Sequence, residues 1–471
     1  MPVTTAIKFG TDGWRALMSQ DFTFPNVELV AQAFCDYLNA TAPAKTKRVA
    51  VGYDFRENSE NFAKTVAEIM NANGIEVILS SSACPTPAVS FTIVDQKLDA
   101  GMLITASHNP AGYNGIKIKT SFGGSADKSI TDAVEQLIGK NPVKKKAFDS
   151  KNPRIVDLNK NYLKFLTGYL KMDAIKNAPY RILVDSMYGT GGRRIEELLA
   201  GGKGKVQTIH ADRDVKFGGV APEPILKNLG EASQKMKSGD FDLCIVTDGD
   251  SDRVGALRPG GDFVSPGIIL SLILLHFVED LKRTGSVVTT ISNTGLIYRV
   301  ATKLGIKVHE TPVGFKYICE IMLKERVLIG GEESGGIAFQ DYLFERDGLL
   351  SGLLLLEMMA MRKQSFEEIL KSVEKEFGKL YYVRNDLTYP NELKPKLFQF
   401  LSSNPPKNFG GQAVKKVNAV DGMKFTLDDG SWLLFRLSGT EPILRVYSEA
   451  TSQELAESLV KQGKELAFSL S

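Results

Sequence analysis

Residues 101–110 read Gly-Met-Leu-Ile-Thr-Ala-Ser-His-Asn-Pro, an apolar run that gives way to polar residues and a proline. The apolar part, Gly101 to Ile104, predicts a short buried strand, and Pro110 cannot continue a strand. Ser107 is therefore expected in a loop directly after a strand. Because a serine hydroxyl is a weak nucleophile at its free pKa, a reactive Ser107 needs a base, a metal or an acceptor nearby.

The unit that ends at this loop occurs three times along the chain. The order strand, helix, strand, helix, strand is predicted for residues 49–105, 181–247 and 286–329. Three repeats favour three similar α/β domains over one large sheet. Because ligands of open α/β sheets bind beyond the carboxyl ends of the strands, the loop after each third strand is a candidate site. These loops are the Ser107 loop, Asp248–Arg253 and Gly330–Gly336.

The rest of the chain has a different pattern. The lysine-rich segment from Lys140 to Lys151 predicts a solvated linker, and short strands followed by a C-terminal helix come after Gly378. The predicted fold class is α/β, with three similar mixed α/β/α domains and a C-terminal α+β domain. The expected domains are residues 1–150 with the serine loop, 151–258 with the aspartate loop, 259–377 with the Glu332 loop and 378–471 with a phosphate-binding loop.

The composition is that of a soluble globular protein, with 471 residues, 43% hydrophobic and 24% charged. The net charge of +3 is too small to indicate a nucleic-acid partner, and it suits small anions such as sugar phosphates. The four cysteines are scattered, which predicts reduced core residues and no zinc site. Met1–Gly10 does not resemble a signal peptide, and the longest apolar run, Gly267–Val278, is too short for a bilayer. We expect a cytoplasmic protein.

Asp248, Asp250 and Asp252 alternate after a predicted strand, so three carboxylates can crowd one side of a tight loop. Such crowding is unfavourable unless a cation neutralises it, and oxygen ligands favour Mg²⁺ or Ca²⁺ over zinc. An EF-hand is excluded because Arg253 stands where its glycine belongs and Pro259 where its glutamate belongs. A solvated acidic turn is the alternative. The guanidinium of Arg253 adds a donor fork that suits phosphate.

Three other segments are candidates for ligand binding. Residues 331–335, Gly-Glu-Glu-Ser-Gly, offer carboxylates and a hydroxyl suited to sugar hydroxyls, although the segment alone could be a plain turn. Residues 436–441, Arg-Leu-Ser-Gly-Thr-Glu, contain the parts of a phosphate pocket, or an ordinary hairpin turn. Residues 189–192, Gly-Thr-Gly-Gly, are not a dinucleotide loop, because Arg194 stands at the place of the third glycine. Lys117 and Arg15 would each, taken alone, be solvated residues.

Four motifs in order then indicate a family. Thr-Ala-Ser-His-Asn-Pro at 105–110, Asp-Gly-Asp-x-Asp-Arg at 248–253, Gly-Glu-x-Ser-Gly at 331–335 and Arg-x-Ser-Gly-Thr-Glu-Pro at 436–442 resemble those of the α-D-phosphohexomutases, the phosphoglucomutase and phosphomannomutase superfamily. The resemblance covers essentially the whole chain. It implies four domains around a central cleft.

The resemblance also implies a reaction and its residues. Ser107 would be a phosphoserine, and Asp248, Asp250 and Asp252 would bind Mg²⁺ together with a phosphoserine oxygen. A sugar monophosphate would be converted through a hexose 1,6-bisphosphate, which would also act as activator. Lys117 or His108 could take the proton of the attacking hydroxyl if the site lowers its pKa. The residues that would assist transfer are Arg15, His108, Lys117 and Arg253, and those that would bind substrate are Lys316, Glu332, Ser334, Arg436, Ser438, Gly439 and Thr440.

The sugar is predicted from the third motif. Related loops read Gly-Glu-Met-Ser-Gly-His in dual glucose/mannose enzymes and Gly-Glu-Gln-Ser-Gly-His in glucosamine enzymes, whereas this chain has Glu333 and Gly336. The pair Glu-Glu favours glucose 1-phosphate and 6-phosphate, with phosphomannomutase or dual activity and then phosphoglucosamine mutase as alternatives. Two alternatives to a mutase are a metal-dependent phosphatase and a sugar-phosphate-binding protein without catalytic activity. The expected partners are small-molecule sugar phosphates, with no nucleic acid and no membrane, and the chain would be a monomer or homodimer.

Overall fold

The computed structural model describes residues 7–41, 45–148, 152–437 and 442–469. These residues belong to two units, one made of Met1–Arg283 and Gly314–Glu367 (unit 1) and the other of Thr284–Val313 and Glu368–Ser471 (unit 2). All three predicted repeats and the C-terminal α+β region are present as helices and strands.

The first repeat forms a six-stranded sheet. Its elements are β1 (Trp14–Leu17), α1 (Phe24–Thr41), β2 (Arg48–Tyr53), α2 (Ser59–Ala72), β3 (Glu76–Ser80), α3 (Thr86–Asp95), β4 (Ala100–Ile104), β5 (Tyr113–Thr120), α4 (Lys128–Leu137) and β6 (Arg154–Val156). The strand order is β1-β5-β4-β2-β3-β6. β4, β2, β3 and β6 run parallel, whereas β5 and β1 are antiparallel to their neighbours. β1, which carries Arg15, is thus an edge strand of this sheet.

The second repeat forms a five-stranded sheet with the order β11-β10-β9-β7-β8. A separate 3₁₀ turn at residues 226–228 precedes the second helix of this repeat, and the α-helix itself begins at Gly230. The elements are α5 (Leu158–Tyr169), α6 (Met172–Asn177), β7 (Arg181–Asp185), α7 (Arg194–Leu199), β8 (Lys205–Ile209), α8 (Gly230–Ser238), β9 (Leu243–Thr247), β10 (Val254–Leu257) and β11 (Phe263–Val264).

The third repeat has the same succession of elements. They are α9 (Pro266–Leu275), β12 (Ser286–Thr290), α10 (Leu296–Leu304), β13 (Val308–Thr311), α11 (Phe315–Met322), β14 (Val327–Gly331), β15 (Ile337–Phe339), α12 (Gly348–Arg362) and α13 (Phe366–Phe377). Within unit 2, β12 and β13 pair in parallel, and within unit 1, β14 and β15 pair in antiparallel. Both pairings match the corresponding ones of the first two repeats.

The C-terminal region of unit 2 is an antiparallel sheet with helices, as predicted for an α+β domain. Its order is β16-β21-β20-β19-β18-β17. The elements are β16 (Tyr381–Thr388), α14 (Lys394–Ser403), β17 (Asn408–Phe409), β18 (Gln412–Asn418), β19 (Met423–Leu427), β20 (Trp432–Leu437), β21 (Ile443–Ala450) and α15 (Gln453–Ser469).

Each of the three polar loops leads from a third strand into an antiparallel partner. The Ser107 loop joins β4 to β5, the aspartate loop joins β9 to β10, and the Glu332 loop joins β14 to β15. The returning strands were not predicted. Because all three loops leave the carboxyl ends of equivalent strands, they occupy equivalent places in three copies of one fold.

The apolar helix α9 is almost wholly buried, and no helix of the described part of the chain is long and apolar enough to cross a membrane. The four cysteines are buried free thiols.

Candidate active site

The buried side chain of Arg56 holds the Ser107 loop in place. The guanidinium donates to the carbonyl oxygens of Ser107 at 2.7 Å, Pro110 at 2.8 Å and Tyr113 at 3.1 Å. Ser107 has a φ of 50°, so its backbone is in the left-handed region that non-glycine residues rarely adopt. Several strong donors aimed at one loop can hold such a conformation.

Asp54 fixes both the arginine and the start of the loop. Its Oδ2 lies 3.2 Å from Arg56 Nε and accepts a hydrogen bond from the Thr105 hydroxyl at 2.6 Å. The Thr105 oxygen in turn accepts from the Ser107 N–H at 2.8 Å. Every residue of this hydrogen-bond network is buried, so water does not compete for these bonds and they favour one conformation of the loop.

The Ser107 hydroxyl points at the second repeat. It donates to Asp248 Oδ2 at 2.8 Å, and its Oγ lies 3.4 Å from His108 Nδ1. Burial raises the pKa of Asp248, and the charges of Asp250 and Asp252 raise it further. Burial lowers the pKa of His108, and the positive charges of Arg253 and Arg15 act in the same direction.

The three aspartates form a buried cluster suited to a cation. One oxygen atom from each of Asp248, Asp250 and Asp252 lies within 4.8 Å of the others. Oδ1 of Asp250 and Oδ1 of Asp252 are buried and have no hydrogen-bond partner among the described residues. Unsatisfied buried carboxylate oxygens are costly unless an ion or water binds them, so this donor set fits a hard cation such as Mg²⁺.

Lys117 is not the solvated lysine that its sequence context alone would suggest. Its ammonium lies 2.7 Å from Asp250 Oδ2, 2.6 Å from Asp252 Oδ2 and 3.0 Å from Asp12 Oδ2, and its side chain is 1% exposed. Burial alone would lower the pKa of Lys117, but the three carboxylates outweigh it and raise the pKa. In this arrangement Lys117 is a charged partner of the carboxylates, and the lowered pKa that a neutral lysine base requires is not found.

Two further residues of the site were not found from the sequence. Arg346 Nη2 donates to Asp12 Oδ2 at 2.6 Å and to Asp252 Oδ2 at 2.7 Å, and Nη1 donates to Glu332 Oε2 at 3.3 Å. Burial raises the pKa of Asp12, but Arg346 and nearby lysines outweigh it and lower the pKa well below its usual range. Neither residue belongs to a polar loop that follows a third strand, so no pattern singled them out.

Arg15 and Arg253 also lie at this site. Arg15 Nη1 donates to Asn109 Oδ1 at 3.0 Å, beside the serine loop, and Nη2 lies 3.3 Å from Asp12 Oδ2. The backbone N–H of Arg253 donates to Asp248 Oδ1 at 3.1 Å. The Nε of Arg253 is buried without a hydrogen-bond partner among the described residues, so a donor remains for an anion.

Glu332 and Ser334 lie in the third loop, with Glu332 buried and Ser334 half-buried. Burial raises the pKa of Glu332, although Arg346 and Arg253 oppose this. Lys316 lies apart from these groups: its ammonium is 5.0 Å from the Tyr317 ring centre, and no hydrogen bond or ion pair among the described residues joins it to the three loops.

Arg436 is the described part of the expected phosphate-binding loop. It lies near the end of β20 in unit 2, and its Nε donates to Asp421 Oδ2 at 2.7 Å. Ser438, Gly439 and Thr440 lie outside the described residues.

Comparison with protein families agrees with the four-part fold. The models of the phosphoglucomutase/phosphomannomutase family match this chain in order: α/β/α domain I over residues 6–144, domain II over 160–261, domain III over 266–377 and the C-terminal domain over 402–465. The chain is 31% identical to a Pyrococcus abyssi protein assigned as a phosphoglucosamine mutase, with 97% of each chain covered. It is 29% identical to a Thermococcus kodakarensis phosphoglucomutase/phosphomannomutase, with 97% and 98% covered.

Solved structures agree with these relatives. A crystal structure of a Thermus thermophilus protein assigned as a phosphomannomutase has a TM-score of 0.87 and 33% identity, and covers 98% of this chain and 99% of its own. The open form of parafusin, a phosphoglucomutase from Paramecium, has a TM-score of 0.82 at 23% identity, covering 99% and 96%, and shows the same fold.

Proposed function

The chain belongs to the phosphoglucomutase/phosphomannomutase family and is a mutase, and we propose that it interconverts glucose 1-phosphate and glucose 6-phosphate through a phosphoserine at Ser107. The observation that carries this proposal is the 2.8 Å hydrogen bond from the Ser107 hydroxyl to Asp248, in a loop that Arg56 holds in place. A hydroxyl next to three carboxylates and several cations suits a residue that carries a phosphoryl group.

Asp248, Asp250, Asp252 and an oxygen of phosphorylated Ser107 would hold the metal, since this donor set fits a hard cation. When bound, Mg²⁺ would neutralise the negative charge at the phosphoryl group. Lys117, in contact with Asp250 and Asp252, holds a positive charge against the same carboxylates. Arg15 and Arg253 supply guanidinium groups for the phosphoryl oxygens during transfer.

The first transfer moves the phosphoryl group from Ser107 to the free hydroxyl of a sugar monophosphate. The bond between phosphorus and Ser107 Oγ breaks as a bond to the sugar oxygen forms, and the hydroxyl loses its proton. His108 is the better placed base, because its Nδ1 lies 3.4 Å from Ser107 Oγ whereas Lys117 is engaged by three carboxylates. The proton is returned to the Ser107 oxygen, which is left without its phosphoryl group.

The second transfer returns the other phosphate of the hexose 1,6-bisphosphate to Ser107, so the sugar must bind in two orientations. Glu332 and Ser334 would contact its hydroxyl groups, with Lys316 as a further substrate-binding residue. Arg436, Ser438, Gly439 and Thr440 would hold the phosphate that does not react. The bisphosphate would also rephosphorylate an enzyme that had lost its phosphoryl group, which makes it an activator.

The pair Glu332-Glu333 favours glucose, and mannose or dual activity is the first alternative. Phosphoglucosamine mutase is the second, and a specific observation supports it: relatives from Pyrococcus abyssi and Methanosphaera stadtmanae, 31% and 29% identical, are assigned that activity. The reaction would take place in the cytoplasm, on small sugar phosphates, in a monomer or homodimer.

A coupled assay tests the sugar. The 1-phosphates of glucose, mannose and glucosamine are each supplied with Mg²⁺ and the matching 1,6-bisphosphate, and glucose is expected to give the highest kcat/KM. Comparable values for two sugars would overturn the preference for glucose. Release of inorganic phosphate instead of isomer would indicate a phosphatase.

The phosphoserine is tested separately with Ser107→Ala. This variant should lose isomerisation and should gain no phosphate mass when incubated with glucose 1,6-bisphosphate, while its unfolding midpoint stays close to that of the wild type. Full activity in the variant would disprove the phosphoserine.

A further inference from the structure

Arg346, which has no role in the proposed reaction, is the centre of a charge network. Its side chain is 3% exposed, and its guanidinium contacts Asp12, Asp252 and Glu332 at 2.6, 2.7 and 3.3 Å. Burial alone would lower the pKa of this arginine, but the surrounding carboxylates raise it, so the group is charged. The planar guanidinium of Arg346 thus bridges Asp252, a proposed metal ligand, and Glu332, a proposed sugar contact.

Gly336 leaves the space through which the Arg346 side chain passes. A Cβ atom at position 336 would lie 2.1 Å from Arg346 Cδ and 2.9 Å from Cγ, far inside normal contact distance. A side chain at 336 and the observed position of Arg346 therefore exclude each other.

Neighbouring contacts fix the position of the Arg346 guanidinium. Arg346 directly precedes Asp347, whose carboxylate accepts a hydrogen bond from the Leu350 N–H and so caps helix α12. The ring of Phe315 lies 5.1 Å from the guanidinium carbon, within cation–π range. A side chain fixed by packing and by several carboxylates can hold the groups that it contacts at a defined spacing.

We propose that Arg346 is a positioning residue that fixes Glu332 relative to the Asp248–Asp252 loop, and that Gly336 supplies the space that this position of the arginine requires. The inference rests on the proposed function, because it assigns Glu332 to the sugar and Asp252 to the metal. The reacting sugar oxygen must lie about 3–3.5 Å from phosphorus, and a misplacement of about 1 Å can cost about 100-fold in rate. A rigid link between the two loops therefore serves the transfer step.

The first test is Arg346→Met, which keeps an unbranched stem and removes the charge and the donors of the guanidinium. We expect kcat/KM to fall about 10- to 100-fold, as for other residues that orient metal ligands. Arg346→Lys keeps the charge without the fork and should lie between this variant and the wild type. The matched control is Arg362→Met, because Arg362 pairs with Glu279 and Asp280 in the same unit and belongs to none of the three loops. Its kcat/KM should be unchanged.

The second test uses Gly336→His in two backgrounds. Alone it should lower kcat/KM, because the new side chain collides with Arg346. In the Arg346→Met background the flexible methionine can move aside, and the same substitution should have a much smaller effect on kcat/KM. An effect of equal size and sign in both backgrounds, or wild-type kcat/KM in Arg346→Met, would overturn the proposal.

Binding of Mn²⁺, followed by the electron paramagnetic resonance signal of the free ion, gives a readout that is independent of turnover. Arg346→Met should bind Mn²⁺ about 10- to 100-fold more weakly than wild type, since the donor 2.7 Å from Asp252 Oδ2 that holds this carboxylate has been removed. The control Arg362→Met should keep wild-type Mn²⁺ affinity; unchanged affinity in Arg346→Met, or an equal loss in Arg362→Met, would overturn the proposal. If wild-type protein isomerises no sugar phosphate, the proposed function fails, and the Mn²⁺ comparison still decides whether Arg346 holds Asp252.

Discussion

Arg56 contributes to the site without belonging to any motif. Its buried guanidinium donates to four carbonyl oxygens of the Ser107 loop region, that of Asn109 included, and pairs with Asp54. Removing one partner of a buried ion pair typically costs about 3–5 kcal/mol. We expect Arg56→Met to lose stability on that scale in urea unfolding and to lose most kcat, because the left-handed conformation of Ser107 is no longer held.

The control for this prediction is Arg181→Met, since Arg181 is an exposed arginine paired with Asp240 at the surface. Surface ion pairs contribute about 0–1 kcal/mol, so this variant should be almost as stable as the wild type. If Arg56→Met unfolds like the control and keeps its kcat, the loop is held by other contacts.

His276 gives the protein a pH-dependent contribution to stability. Its two ring nitrogens lie 2.8 Å from Asp280 Oδ2 and 2.8 Å from Glu357 Oε2, and both can donate only when the ring is protonated. Burial lowers the pKa of His276, but the hydrogen bonds to Asp280 and Glu357 outweigh it and raise the pKa above its ordinary 6.5. The stabilisation is therefore fully present below the unfolded-state pKa and is lost as pH rises through the folded-state pKa.

The measurement is the difference in free energy of unfolding between wild type and His276→Gln across this range of pH. The difference should be largest under mildly acidic conditions and should shrink as the solution becomes alkaline. A difference that does not vary with pH would mean that the ring is neutral in the folded protein.

How much of the site the sequence predicts depends on the kind of residue. Ser107 and the three aspartates follow strands at loops with an unusual composition, so they could be found and are brought together. Arg346 and Arg56 could not, because a single arginine has the same local pattern whether it is solvated or buried among carboxylates. Their roles come from contacts with distant parts of the chain, which no local pattern contains.

At the scale of elements, the three repeats were predictable and the strands that return from their loops were not. β5 reads Tyr-Asn-Gly-Ile-Lys-Ile-Lys-Thr, and alternating lysines normally indicate a solvent-exposed face. The structure buries Lys117 at 1% and Lys119 at 0% exposure, because Lys117 has three carboxylate partners and Lys119 pairs with Glu345. The alternation correctly marks a strand, but the face that looks exposed is the one that lines the site.

Helix α3 supports the metal loop through its first residue. Thr86 donates its hydroxyl to Asp250 Oδ2 at 2.5 Å and its N–H to Asp250 O at 2.9 Å. Groups that orient metal ligands typically affect metal affinity about 10- to 100-fold. We expect Thr86→Val to raise the Mg²⁺ concentration for half-maximal activity by about 10-fold on that basis.

Thr86→Ser should restore the affinity, because it restores the hydroxyl. Thr92→Val is the control in the same helix, since Thr92 donates only to the Ala88 carbonyl. An unchanged Mg²⁺ requirement in Thr86→Val would show that Asp250 is held without the threonine.

At the scale of the whole molecule, the proposed roles divide between the two units. Ser107, the three aspartates and Glu332 lie in unit 1, whereas Arg436, the proposed phosphate ligand, lies in unit 2. Metal alone should therefore stabilise unit 1, and a sugar phosphate should act on both. The two effects can be measured because a ligand that binds only the folded state reduces the population of locally unfolded forms. The reduction grows with the ratio of ligand concentration to Kd.

Hydrogen exchange followed by mass spectrometry separates these effects in Ser107→Ala, which is expected to bind substrate without turnover. Mg²⁺ alone should slow exchange in β4–β5 and β9–β10 and leave β19–β20 unchanged. Glucose 1-phosphate added at about 100 times its Kd should also slow exchange in β19–β20, by up to about 100-fold. A further Arg436→Gln substitution should abolish this second effect. Arg384→Gln should not abolish it, because Arg384 and its partner Asp386 both lie on β16, outside β19–β20. If Mg²⁺ alone protects β19–β20, or if the sugar phosphate leaves these strands unchanged, Arg436 is not a separate phosphate ligand.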